Sequence, residues 1–285
     1  LSDFDGVWTN QGPEADVLVG HTVGQLMRLS ADRAQEISNE LDTVRRRMAE
    51  APHRHGWAPD GRISAYLDED PLVESSALCH YIDSSDDPTA KFLREAVLGA
   101  GFDSLAAFSE HLFREATAKF RAEHPPCLVE GAAELLEVLH DAGADVVIIS
   151  NSGADKISHW LQDAGIDAGS DEGHAVRVRG AAAKWKLGQT DEAIEVEGRS
   201  IHVDRPLYRA AIEAENPDLI IGDVFSLDLA LPHVMRQASN PAAPRRLVLR
   251  RHAHTPSWVT DSRAGGAIDH VVSGLQDLPE ILRQL

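Results

Sequence analysis

The sequence predicts an α/β fold: a parallel sheet core with helices on both faces, carrying an α-helical domain inserted near its start and a small β excursion. Three observations lead there. DVVIIS (145–150), LIIGD (219–223), RRLVLR (245–250) and DHVVS (269–273) are continuous apolar runs, the pattern of strands buried on both faces. Helical stretches separate these runs, as parallel strands joined by crossovers require. Between residues 20 and 125 the periodicity is helical instead.

The chain opens on LSDFDGVWTN, where only Leu1 and Ser2 precede Asp3. A strand usually takes about 5 residues, so the strand holding Asp3 is expected to continue upstream. Ala34, Ile37, Leu41, Val44 and Met48 recur at spacings of three and four and predict a helix, with Ser30 as its N-cap and Arg45, Arg46 and Arg47 near its far end. Leu105, Phe108, Leu112, Ala116 and Phe120 predict another over 104–122, capped by Ser104. The Pro and Gly of HRHGWAPDGR (53–62) predict a loop. After Pro125 and Pro126 the texture changes, GAAELLEVLHDA (131–142) reads as an amphipathic helix, and Gly143 ends it.

Residues 174–203 alternate polar and apolar side chains around Gly198, which predicts antiparallel β structure, either an excursion from the sheet edge or a small flap. The expected division is 1–15 with 127–285 as the core, including a β flap or excursion at 172–204, and 16–126 as a helical cap domain.

Composition restricts the function classes. With 27 basic against 46 acidic side chains the formal charge is -19, which repels nucleic-acid backbones and anionic membranes. A small anionic substrate fits only where local Arg, Lys or a metal reverses that field. Cys79 and Cys127 have no zinc-like or disulfide-like spacing and read as idle thiols of a reducing compartment. No apolar run approaches the roughly 18 residues of a membrane span, and no signal-peptide pattern opens the chain; a cytoplasmic location is the expectation.

The chemistry concentrates at strand ends. Asp3 and Asp5 are two apart, so a strand's period of two aims both carboxylates the same way, and Gly6 permits a tight turn after them. DxDG alone is a weak signal, shared with surface turns and calcium loops. Ser150 and Asp223 close two buried strands, and Asp228 follows five residues later. Ligands of open α/β sheets bind beyond the carboxyl ends of the strands, so separate strands would deliver these groups to one crevice. Taken singly, Ser150 is also an ordinary strand-end hydroxyl and Asp228 a helix N-terminal acid. His53, His55, His252 and His254 read as solvated surface; Arg250 and Arg251 end a core strand, so either could reach the crevice, with solvent exposure slightly favoured.

DFDGVWT, VVIISNS, the basic residue before Pro206 and GDVFSLD together resemble the four ordered motifs of the haloacid dehalogenase (HAD) superfamily. The resemblance covers residues 1–10 and about 127–285, including VVSGLQDLPEIL at the end, and places the helical block where that family inserts a cap. It implies a Rossmann-like core and a magnesium-dependent phosphohydrolase acting through an aspartyl-phosphate on a small phosphorylated metabolite. By the same resemblance Asp3 is the nucleophile and Asp5 the general acid and then base. Ser150 and Asn151 bind phosphate, and Asp3, the Asp5 carbonyl, Asp223 and Asp228 surround Mg2+. The family's usual lysine is expected to be replaced by Arg205, with Lys184 and Lys186 as rivals. Trp57 and Arg62, in the cap's loop, are candidate substrate contacts. A phosphomutase on the same core, and a catalytically silent binding module, are the alternatives.

Overall fold

A parallel sheet organises residues 1–10 and 126–285, which form one of two units in the computed structural model; residues 11–125 form the other, and all 285 residues are described. On one side of the sheet Val146–Ile149 pairs with Val176–Arg179, which pairs with Ala168–Gly169. On the other, Leu219–Gly222 pairs with Arg246–Arg250, which pairs with His270–Val272. Every one of these pairings is parallel.

Ser2 joins the halves, bridging Ile148 and Ile221 in parallel. Its amide donates to Val147 O at 2.8 Å and its carbonyl accepts from Ile149 N at 2.8 Å, while Asp3 N donates to Ile221 O at 2.9 Å. The opening residues therefore occupy the centre of the sheet, and Asp3 stands at its carboxyl edge.

Strand alternation explains the continuous apolar runs. Ile148, Val178, Ile221 and Val248 enter one apolar cluster with Leu135, Leu139, Ile157, Leu161 and Ile281 from helices. Their neighbours Ile149, Ile220, Leu247 and Leu249 are equally buried and point to the opposite face. Burial of Tyr208, Ile212, Leu231 and Met235, on the helices Pro206–Glu215 and Ala230–Gln237, belongs to that second layer.

The 174–203 segment departs from the antiparallel expectation in its first part. Val176–Arg179 is a parallel member of the main sheet. Its alternation has a different cause: Val176 and Val178 face the core, whereas Arg177 and Arg179 pair with the buried Glu215 carboxylate. Only Ala193–Val196 and Arg199–His202 form an antiparallel hairpin. Arg199 lies 4.4 Å from the Trp258 ring centroid, which ties the hairpin down within its own unit.

In residues 11–125 five helices dominate, Gly12–Leu29, Ala34–Glu50, Val73–Ser84, Pro88–Gly99 and Leu105–Glu123. The first junction lies at Asn10/Gln11 instead of 15/16, because a Pro-initiated helix begins at Gly12. Ile37, Leu41, Val44 and Met48 are buried along one helix face. Ser104 caps its helix, accepting from Ala107 N at 3.1 Å. Ser30 does not cap the helix beginning at Ala34; it ends the preceding helix and its hydroxyl donates to Leu26 O at 2.7 Å. The expected 53–62 loop contains a strand, Gly56–Trp57, paired with Ala65–Tyr66. No helix is long and apolar enough to cross a membrane.

Candidate active site

Five chain segments meet at the carboxyl edge of the sheet. After Asp3 the chain turns away, and Phe4, Val7 and Trp8 are buried beneath the turn, with Trp8 Nε1 donating to Ser2 Oγ at 2.8 Å. Gly6 has a φ of +79°, and a Cβ there would lie 1.9 Å from Asp223 Oδ2. Glycine is thus required twice, for the left-handed backbone and for the approach of Asp223. The Gly6 carbonyl accepts from Arg250 Nη1 at 2.9 Å and His252 Nε2 at 2.7 Å, and Arg250 Nη1 also donates to Val7 O. Burial pushes His252 down to about 4, helped by the Arg250 charge and by His254, so the imidazole is neutral near pH 7 and donates its Nε2–H.

Asp3, Asp223 and Asp228 form the centre, with one carboxylate oxygen from each lying within 4.8 Å of the others. Asp228 comes from a π-helical turn, Phe225–Leu229, a local geometry frequent at functional sites. Its Oδ2 accepts from Val224 N at 3.1 Å, and its carbonyl accepts from Tyr208 Oη at 2.9 Å. Gly222 makes room, since a Cβ there would stand 2.3 Å from Asp228 Cβ.

Lys184 holds two of the acids together, with Nζ 2.6 Å from Asp3 Oδ1 and 2.6 Å from Asp228 Oδ1. Burial alone would depress this ammonium, but the Asp228 and Asp3 charges outweigh it and keep Lys184 protonated. Burial pushes Asp3 up to about 7, against the pull of Lys184 and with the help of the Asp228 and Asp5 charges. Three clustered carboxylates offer only hard oxygen donors, the set that suits a cation of the magnesium class.

Asp5 has separate partners. Lys156 Nζ donates to its Oδ1 at 2.7 Å and Ser150 Oγ to its Oδ2 at 3.3 Å. Ser152 N donates to Ser150 Oγ at 3.1 Å, which fixes the hydroxyl at the start of the helix Ala154–Asp163.

Several sequence expectations change here. Lys184, not Arg205, reaches the carboxylates. Arg205 is fully buried and directs its guanidinium to carbonyls, Nη1 to Lys184 O at 2.5 Å and Nε to His202 O at 3.2 Å, so it supports the loop that carries Lys184. Asn151 supports the same loop, its Oδ1 accepting from Lys184 N at 2.7 Å. Lys186 is exposed. Trp57 and Arg62 belong to the helical unit, where the Arg62 guanidinium is 2.5 Å from Asp60 Oδ2.

Sequence reasoning overlooked Lys156 and read His252 as solvated surface; for Arg250 it left reach into the crevice open beside the solvent-facing reading. Lys156 lies one helical turn beyond Ser152, a spacing that places them on one face. Arg250 ends a buried strand at the same edge as Ser150 and Asp223, and that shared edge was the available signal.

No family model matches the chain, and no curated protein matches it. Solved structures do, among them the following two. A putative HAD-hydrolase YfnB from Bacillus subtilis bound to magnesium has 13% identity and a TM-score of 0.45, covering 99% of this chain and 96% of its own. A putative beta-phosphoglucomutase from Thermotoga maritima has 12% identity and a TM-score of 0.42, covering 100% of this chain and 97% of its own. Both likenesses are too distant to transfer an activity.

Proposed function

We propose that this chain is a HAD-type phosphohydrolase that cleaves small phosphomonoesters through an aspartyl-phosphate on Asp3. The observation that carries this reading is the division of labour between two acids two residues apart. Asp3 stands in a cluster with Asp223, Asp228 and Lys184, while Asp5 has its own lysine and serine.

In the first step an Asp3 oxygen attacks phosphorus, the bond from phosphorus to the leaving oxygen breaks, and Asp5 gives that oxygen its proton. In the second, Asp5 takes a proton from water, the water oxygen attacks phosphorus, and the bond to Asp3 breaks, returning both acids to their starting states. Lys184 supplies an ammonium to the phosphoryl oxygens, and Ser150 keeps its O–H on Asp5. Asp3, Asp223 and Asp228 would hold Mg2+, which would supply neutralising charge where an anionic nucleophile meets an anionic phosphate.

Released phosphate, measured with magnesium over a panel of phosphorylated metabolites and p-nitrophenyl phosphate, tests the proposal. Asp3→Asn is expected to lower turnover by more than about 1,000-fold. Turnover unaffected by that substitution would refute the mechanism.

A further inference from the structure

We infer that Lys156 is a positioning residue for Asp5: it sets the acid that serves the leaving oxygen and does not bind the phosphoryl group. The inference rests on the proposed role of Asp5. Lys156 Nζ donates to Asp5 Oδ1 at 2.7 Å and to Ser152 Oγ at 3.0 Å. It stands 5.3 Å from the Trp160 ring centroid and 5.9 Å from that of Phe4, and the two rings meet edge to face at 6.0 Å. Its side chain is only 10% exposed. Two oxygens and two aromatic rings thus make a seat for this one ammonium.

That seat distinguishes it from Lys184, which already brings a cation to Asp3. The charge-assisted bond on Oδ1 and the Ser150 hydroxyl on Oδ2 hold both Asp5 oxygens, and so set the plane of the carboxyl group. Proton transfer in the transition state requires heavy atoms about 2.6–3.2 Å apart, so a carboxyl released from its seat loses its alignment with the leaving oxygen. The defect should grow with the leaving group's need for a proton.

The test compares phenyl phosphate with p-nitrophenyl phosphate, whose nitro group stabilises the departing phenolate. Both are assayed with magnesium on the same preparation, so their kcat/KM ratio is independent of the folded fraction. Lys156→Gln is expected to lower kcat/KM for phenyl phosphate about tenfold more than for p-nitrophenyl phosphate. The loss should lie in kcat, and Lys156→Arg should restore most of it. Equal losses on both substrates with a raised KM would make Lys156 a phosphate ligand, and an unchanged ratio would make it merely structural; either result overturns the inference. Asp5→Asn is measured alongside: if it shifts the ratio and Lys156→Gln does not, only the role of Lys156 fails. A wild-type chain inert to both substrates, or one indifferent to Asp3→Asn, overturns the functional reading and this inference with it.

Discussion

Two lysines serve the three-residue segment Asp3–Asp5, and they are held in opposite ways. Lys184 is 2% exposed, bonds two carboxylates, and sits on a loop whose carbonyl and amide are fastened by Arg205 and Asn151. Lys156 is 10% exposed, bonds one carboxylate, and is seated by a hydroxyl and two rings on a helix. The first arrangement confines like charges that would otherwise repel one another. The second orients a single acid. One lysine is therefore part of the structure's integrity, and the other chiefly of its alignment.

Removing each ammonium should expose that difference. Lys184→Met leaves the buried Asp228 and the part-buried Asp3 without their shared cation and is expected to cost about 3–5 kcal/mol of folding stability. Lys156→Met should cost about 2 kcal/mol or less, the scale of one hydrogen bond to a charged group. Denaturant unfolding of both variants decides; equal costs would erase the distinction.

A backbone change tests whether the metal side depends on the turn as much as on charge. Gly6→Ala must adopt a φ of +79° and drive a methyl group into Asp223. Phosphate release is expected to fall about 100-fold, the scale of an ångström of misplacement in an active site. Activity within twofold of wild type would show that Asp223 can move aside without consequence.

The smallest effect concerns pH. Asp3 keeps its proton up to about 7 in the folded chain, against an ordinary value of 3.8. Its contribution to stability is therefore fully present below about pH 4, falls as pH rises toward 7, and is level above that. A cation binds the ionised form, so magnesium affinity runs the other way and should rise about tenfold between pH 6 and 8. Calorimetric titration with magnesium across that range measures it, and a flat profile would place the cation away from Asp3.

How much of this could be read beforehand depends on the range of the interactions involved. The runs ending at Ser150, Asp223 and Arg250 announce buried strands because both faces are covered, and burial is written in composition. The convergence of Asp3, Asp223 and Asp228 follows from strand ends sharing an edge. Arg205 was favoured over Lys184 because the choice rested on a local pattern, a basic residue before Pro206. Which of them arrives depends on the course of residues 180–190, which only the Asn151 and Arg205 contacts determine. HAVRVRG likewise looked antiparallel, since nothing local reveals that Glu215 waits to receive its two arginines.

Ser2 carries a consequence of its own. The strands on its two sides form separate three-stranded groups, and its backbone is the seam between them. The peptide that presents the nucleophile is also the peptide that keeps the sheet in one piece, so any opening that frees Asp3 from its place must first part the halves. The amides of Asp3, Ile149 and Ile221 should therefore exchange with solvent only when the entire core opens.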